Sequence, residues 1–458
     1  MQRGHWGNRF GFVLAAAGSA IGLGNIWRFP YVTGENGGGV FVLLYLLAVA
    51  VVGLPIMMAE IFIGRTTQRS PVGAFRALSR PGGPWLLVGW MGVVAAFVIL
   101  SFYSVVAGWT LYYVWASVTG TLAGQSPEQI AELFGAVYAS PSVNVGCHVL
   151  FMAMTMGIVI GGIEKGLERG VRILMPALFL MMLALLARAA LSDGFGEALG
   201  FVFGTHFEKL TGQGVLAALG QAFFSLSLGM GALITYGSYL QKDDDIVSTS
   251  ITVAGLDTLV ALMAAMVLFP IIFAAGLEPG AGPGLVFVSL PIAFAGMPGS
   301  WLWATIFFLL LAFAALTSTI SLLEVAVSYF IDEKGWSRVR ATAICGGAIL
   351  ALGIPSALSG GQGFFGAEFA ALTEGVFGAG NGKSWFDTLD YLSNNWLLPL
   401  GGLGIAACVA WHVGAEARER GFKAGTRFGR LYWGWVLFLR YVVPVAVAAV
   451  FLNAIGLI

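Results

Sequence analysis

Long apolar runs separated by short polar loops dominate the chain, and the runs reach the roughly 20 residues that a helix needs to cross a bilayer. Eleven of them begin near residues 10, 39, 86, 143, 169, 215, 249, 301, 338, 386 and 430. The pattern predicts an all-α membrane protein of eleven transmembrane helices, with residues 1–458 forming a single transmembrane domain.

Two of the runs are interrupted. Ser19-Ala20-Ile21-Gly22-Leu23-Gly24-Asn25 in the first and Ser225-Leu226-Ser227-Leu228-Gly229-Met230-Gly231 in the sixth put glycines and hydroxyls at mid-span. Glycine loosens a helix, and non-helical backbone at membrane depth is tolerated only where protein or a wet cavity satisfies it. Close packing through small residues is the simpler explanation of either segment alone. As a pair they say more, because the first and sixth helices correspond in two five-helix halves, and an odd number of helices per half inverts one half relative to the other. The expected organisation is a repeat over about 10–190, a second over about 215–413 and an extra C-terminal helix over about 430–456, with discontinuous helices 1 and 6 meeting at a midplane binding site.

Composition agrees with a lipid setting. Hydrophobic residues make up 58% of the chain and charged residues 10%, less than half the charged share of a soluble protein. The formal net charge is zero and no basic run occurs outside short loops, which excludes nucleic acid as a partner. No obligate protein partner is indicated, and the bilayer is the surrounding medium. Cys147, Cys345 and Cys408 have neither paired nor metal-ligand spacing. Arg3 and Arg9 ahead of an apolar stretch resemble a secretory signal, but Asn25 and Arg28 follow within the same continuing run, so the segment is expected to be retained. Of 23 lysines and arginines, 18 fall in the N-terminus and every second loop, two in the opposite loops (Lys209 and Lys383) and three in or beside apolar segments. That asymmetry puts the N-terminus in the cytoplasm and, after eleven spans, the C-terminus outside.

Several motifs carry a resemblance. Arg3-Gly4-His5-Trp6, Gly18 to Pro30, Glu35-Asn36-Gly37-Gly38-Gly39, Glu60 with Gly64-Arg65, Gln221 to Ser227 and Leu316-Thr317-Ser318 together resemble the neurotransmitter:sodium symporters over nearly the whole chain. The eleven-helix count is similar to their prokaryotic amino-acid branch, with its leucine-transporter-type fold, and implies a multi-pass protein of a bacterial or archaeal cytoplasmic membrane. The resemblance implies sodium-coupled symport of a small amino acid by alternating access, with Na+ at two sites.

An amino-acid carboxylate at mid-membrane needs neutralising by half-helix N–H groups and a cation. The resemblance gives that role to the N–H groups of Leu23 and Gly24 and the hydroxyl of Tyr103, and has the amino group meet carbonyls near Ala20, Phe224 and Ser225. Sodium favours oxygen ligands. Its first site maps onto the Ala20 carbonyl, Asn25, Ser225, Asp257 and the substrate carboxylate; its second maps onto the carbonyls of Gly18, Ile21 and Ala314 with the hydroxyls of Thr317 and Ser318. Taken alone, such hydroxyls bond back to a preceding carbonyl. The side-chain pocket comprises Ile99, Phe224, Ser227, Met230, Ser318, Ser321 and Leu322. Gly22 stands where monoamine carriers have Asp, so the substrate should bring its own carboxylate, and the apolar pocket implies hydrophobic L-amino acids.

Asp257 departs from the family's common Asn, and Ala261 from the Ser that helps hold chloride. A carboxylate within a span is a functional hypothesis by default; here it implies a fixed negative charge and no chloride. A protonated, packed carboxyl is the alternative. The outer gate maps onto Arg28, Asp390 and Phe224, the inner onto Arg3, Trp6, Ser238, Tyr239 and Asp332. Gly166 and Pro176 match a spacing at which helix 5 unwinds in some members, a simple kink being the alternative. Near-matches to nucleotide loops at Gly378–Ser384 and Gly22–Trp27 fail in spacing, and the four scattered histidines form no enzyme signature. A carrier of another small carboxylate-bearing amine, or a passive channel, are the competing readings.

Overall fold

The computed structural model describes residues 4–80, 83–205, 207–277 and 284–457. Among them there is no β-strand. Among the described residues nine helices are long and apolar enough to span a bilayer: Gly39–Thr67, Trp85–Val118, Pro141–Ile160, Ile163–Ala190, Ile246–Ala274, Ser300–Lys334, Arg338–Ala357, Trp385–His412 and Gly429–Ala454. A tenth is the pair Arg9–Ala20 and Gly24–Glu35, bent by 51° at its break. The sixth expected span is the two helices Gly212–Ser225 and Ala232–Gly237, of 14 and 6 residues. Neither crosses a bilayer alone, so length and apolarity count ten spans among the described residues where the sequence pattern predicts eleven.

Burial sorts the bundle into centre and rim. Ser300–Lys334 is enclosed along most of its length and lies against Trp85–Val118, whereas little of Gly429–Ala454 is buried. Outward-facing leucines, valines and tryptophans such as Leu87, Trp115, Trp433 and Val445 are what a hydrocarbon surround requires. Helix ends carry ordinary punctuation: the Asp245 carboxylate accepts the Val247 and Ser248 N–H groups at 3.0 Å to start Ile246–Ala274, and Gly335 in the left-handed region ends Ser300–Lys334.

The two interruptions have distinct backbones. Ile21 leaves the helix with ψ 104°, and a wide π-type turn, Gly24–Arg28, resumes it. The sixth span breaks through three left-handed residues, Ser227 (φ 54°), Gly229 (φ 82°) and Gly231 (φ 74°). Glycine takes that region freely, serine only at a cost. At Gly229 a Cβ would also lie 2.4 Å from the Leu398 carbonyl oxygen, so conformation and space both demand glycine.

Candidate functional site between the two broken helices

The breaks face each other and are stitched together by side chains. The Ser227 hydroxyl donates to the Ser19 carbonyl at 2.9 Å, the Gln221 amide to the Gly24 carbonyl at 2.9 Å and the Gly229 N–H to the Glu60 carboxylate at 2.7 Å. Unpaired backbone groups left by the breaks thus find buried partners, as membrane depth requires.

Between the breaks lies a cavity of about 30 Å³ lined by Ser19, Ala20, Gly22, Gly24, Ile99, Tyr103, Phe224, Ser227, Met230, Ser318, Ser321 and Leu322. Ten of the twelve residues expected at the substrate line it. Leu23 instead faces a neighbouring cavity, its N–H donating to the Tyr103 hydroxyl at 3.2 Å, and Ser225 turns away toward Asp257. No carboxylate lines the cavity, and hydrogen bonds link three of its hydroxyl-bearing residues: Ser19 Oγ donates to Ser321 Oγ at 2.7 Å, and Ser321 Oγ to the Ser318 carbonyl at 2.8 Å. Gly22 and Gly24 make the space. A Cβ at Gly22 would lie 2.6 Å from Ser318 Oγ, and one at Gly24 2.8 Å from the Phe224 ring.

Beside the cavity, Asn25, Ser225 and Asp257, all fully or nearly fully buried, form one polar cluster. The Asn25 amide donates to Asp257 Oδ1 at 2.7 Å and lies 3.0 Å from Ser225 Oγ. Ser225 Oγ donates to Asp257 Oδ2 at 2.7 Å, and the Tyr45 hydroxyl stands 3.1 Å from that oxygen. Gly22 N–H donates to Asn25 Oδ1 at 3.1 Å, tying the first break to the cluster. Tyr45 was absent from the residues singled out by sequence, although a tyrosine inside an apolar span is a visible signal. On the other side, Ser318 Oγ lies 3.4 Å from the Ile21 carbonyl and 3.3 Å from that of Ala314, while Thr317 Oγ1 donates to the Ala314 carbonyl at 2.9 Å. Gly18 abuts Thr317, whose Cβ would stand 3.2 Å from a side chain at Gly18. Asn25, Ser225 and Asp257 thus lie together on one side of the break, and the Ile21 and Ala314 carbonyls lie with the Thr317 and Ser318 hydroxyls on the other.

The two mouths differ. Beyond Phe224 lies a cavity of about 270 Å³ whose lining includes Trp27, Arg28, Tyr31, Tyr103, Phe224, Asp387 and Asp390. Arg28 and Asp390 share it without an ion pair between them; the guanidinium lies 4.6 Å above the Phe224 ring, a cation–π contact, and Asp390 accepts from Asn394 at 2.7 Å. Arg28 and Asp390 thus line one cavity while each contacts another side chain. The opposite mouth is shut. Trp6 Nε1 donates to the Tyr236 carbonyl at 3.0 Å and its ring stacks edge-on to Phe12, Tyr236 and Tyr239. Asp332 accepts the Ser70 N–H at 2.7 Å, and Ser238 donates to the Thr235 carbonyl at 2.5 Å. Arg3 lies outside the described residues. Two residues outside the expected gate join this closure, Glu324 and Arg338: Tyr239 donates to Glu324 at 2.7 Å, and Arg338 grips the same carboxylate at 2.7 and 3.0 Å. A glutamate deep in an apolar span was the available signal.

Interrupted helices meeting around a mid-span cavity, shut on one side and fronted by a second cavity on the other, are the architecture of a secondary transporter. The chain belongs to the sodium:neurotransmitter symporter family, whose sequence profile matches residues 3–133 and 137–457. It is similar to uncharacterized sodium-dependent transporters: YhdH of Bacillus subtilis, 37% identical over 99% of this chain and 98% of that one, and one of Haemophilus influenzae, 35% identical over the same shares. The crystal structure of MhsT in complex with L-phenylalanine superposes with a TM-score of 0.88 at 44% identity, covering 99% of this chain and 100% of that one. The chain is therefore an integral membrane protein that couples transport to sodium, and not an enzyme.

Proposed function

We propose that the protein carries hydrophobic L-amino acids into the cell with sodium, independently of chloride, by alternating access between two inverted five-helix halves followed by one extra helix. The cavity carries this reading. Its side-chain end is formed by Ile99, Phe224, Met230 and Leu322 with no charged group, and Tyr103, which lines both this cavity and the one beyond it, holds the Leu23 N–H on its hydroxyl, a donor ready to pass to a substrate carboxylate. Admitting a side chain needs more than the present 30 Å³, and Met230, flexible and polarizable, can repack around different shapes. Phenylalanine in the MhsT complex supports the substrate class.

Sodium would occupy the Ala20–Asn25–Ser225–Asp257 grouping together with the substrate carboxylate, and the Gly18–Ile21–Ala314–Thr317–Ser318 grouping. Chloride independence rests on Asp257: the Tyr45 and Ser225 hydroxyls that could hold an anion already surround its Oδ2, and Ala261 adds no further donor. The charge asymmetry of the loops supports a cytoplasmic N-terminus, which makes the Trp6 mouth the inner one and the Arg28 mouth the outer one. The test is uptake of the twenty amino acids into proteoliposomes with sodium and chloride varied independently. Concentrative, sodium-driven uptake of leucine, phenylalanine and similar substrates in gluconate is expected; uptake that collapses without chloride, or equilibrates without concentrating, sinks the proposal.

A further inference from the structure

The N-terminal residues ahead of Arg9–Ala20 are wedged between two elements. On one side Trp6 is fastened to Tyr236 and Tyr239, its own N–H donating to the Tyr239 carbonyl at 3.3 Å. On the other side lies the turn Ile163–Glu168 that opens the fifth span. Three glycines spaced three and four residues apart face that turn without side chains. A Cβ would lie 3.0 Å from Ile163 Cγ1 at Gly4, 3.2 Å from Glu168 Oε1 at Gly7, and 2.4 Å from the same oxygen at Gly11. The absence of Cβ atoms along this edge lets the Glu168 carboxylate reach the main chain: Oε2 accepts the Gly7 N–H at 2.8 Å, and Oε1 accepts Arg172 Nη2 at 2.6 Å.

Glu168 is 3% exposed. A buried carboxylate is tolerated only when paired and hydrogen-bonded, and here one oxygen pairs with Arg172 four residues on while the other reaches Gly7, 161 residues away in the chain. The turn that presents it is a backbone irregularity. Gly162 stands at φ 82°, and a Cβ on Gly166 would lie 2.2 Å from the Ile158 carbonyl oxygen, so the segment is held in shape by contacts rather than by regular helix. The far end of Arg9–Ala20 meets the same span, where a side chain at Gly18 would lie 3.1 Å from Met175 Sδ and 3.2 Å from Thr317 Cβ. One helix thus touches the fifth span twice, at Glu168 near the mouth and at Met175 beside the Thr317–Ser318 grouping.

We propose that Glu168 is a positioning residue that latches the N-terminal segment to the Ile163–Glu168 turn, making withdrawal of Trp6 and loosening of that turn a single event of the transport cycle. The role rests on the alternating-access reading above. A carboxylate suits it because it accepts a backbone N–H and a guanidinium at once; glutamine has one acceptor oxygen and keeps only part of the pairing.

Backbone hydrogen exchange on the purified full-length protein in sodium tests this, with no substrate needed. In Glu168→Ala, exchange at residues 4–11 and 161–168 should rise together by about tenfold or more, the scale of a lost charge-assisted hydrogen bond. Glu168→Gln should give a smaller rise in both segments while Ser300–Lys334 exchanges as in the wild type, which separates unlatching from unfolding. Trp6→Phe, which leaves Glu168 intact, should also speed exchange at 161–168. Acceleration confined to 4–11 in Trp6→Phe, or unchanged exchange in both segments of Glu168→Gln, overturns the latch. Failure to detect sodium-driven amino-acid uptake would instead sink the functional reading and leave the exchange result standing.

Discussion

At the scale of single residues, the site is governed by which oxygen has which partner. Asp257 receives Asn25, Ser225 and Tyr45, so its two oxygens are held in place by three donors. Asp257→Asn removes the fixed charge and should lower sodium-driven uptake in gluconate at least tenfold, the scale of losing a buried charged partner, with part of the activity returning in chloride; equal activity of the variant in both salts would refute the anion-substitution argument. Tyr45→Phe deletes one hydroxyl and should weaken apparent sodium affinity by about tenfold, as expected for a hydrogen bond to a charged group. Gly24→Ala drives a methyl to within 2.8 Å of the Phe224 ring; uptake should be lost while the variant keeps its thermal transition near that of the wild type, because a ring can swing aside where a main chain cannot. Asn25 and Ser225 are legible within sequence motifs, and Asp257 as a departure from the family's common Asn. Tyr45 and Glu324 were not picked out, since an isolated polar residue in an apolar run announces a partner without naming it.

At the scale of elements, both interruptions fall where glycines and hydroxyls cluster at mid-span, because few other residues give up helical backbone in lipid so readily. What the pattern could not supply was the form of each break. The first is an extended Ile21 followed by a wide turn, while the sixth passes through three left-handed residues. Gly229→Ala therefore meets two penalties, about 1–2 kcal/mol for the left-handed backbone and the Leu398 carbonyl oxygen 2.4 Å away. It should lower the thermal transition clearly and abolish uptake, whereas an alanine at Gly255, with open space around its Cβ position, should do neither. In the fifth span Pro176 sits inside the continuous Arg169–Ala190 helix, and the irregularity lies earlier, at Gly162 to Glu168.

At the scale of the whole molecule, access to the cavity is controlled by contacts between distant segments. Arg338 and Glu324 are bonded bidentately, with the carboxylate fully buried. Removing one member of a buried pair strands the other at a cost of about 3–5 kcal/mol, whereas replacing both with apolar groups is far milder. Arg338→Met alone should thus lower the thermal transition more than the double variant Glu324→Leu/Arg338→Met. The double variant should also leave the Trp6 mouth open, read as faster labelling of a cysteine placed at Thr235 from that side. A double variant as unstable as the single one would show that the pair does not act as a unit.

Length, apolarity and the two glycine-rich interruptions determine by themselves that the chain crosses the bilayer many times and breaks two helices at mid-span, because lipid offers no partner for backbone N–H and C=O groups and so constrains each segment locally. The N-terminal wedge, the Tyr45–Asp257 contact, the Glu324–Arg338 pair and the place of Arg28 over the Phe224 ring are decided only by the tertiary structure. Each depends on distances between residues far apart in the chain, and a single sequence carries no term for such distances: many partners are chemically able to satisfy a buried carboxylate, and only packing selects among them. The break at Gly22 to Asn25 shows both levels, its existence set by local chemistry and its closeness to Ser225, Tyr103 and Ser318 by the fold.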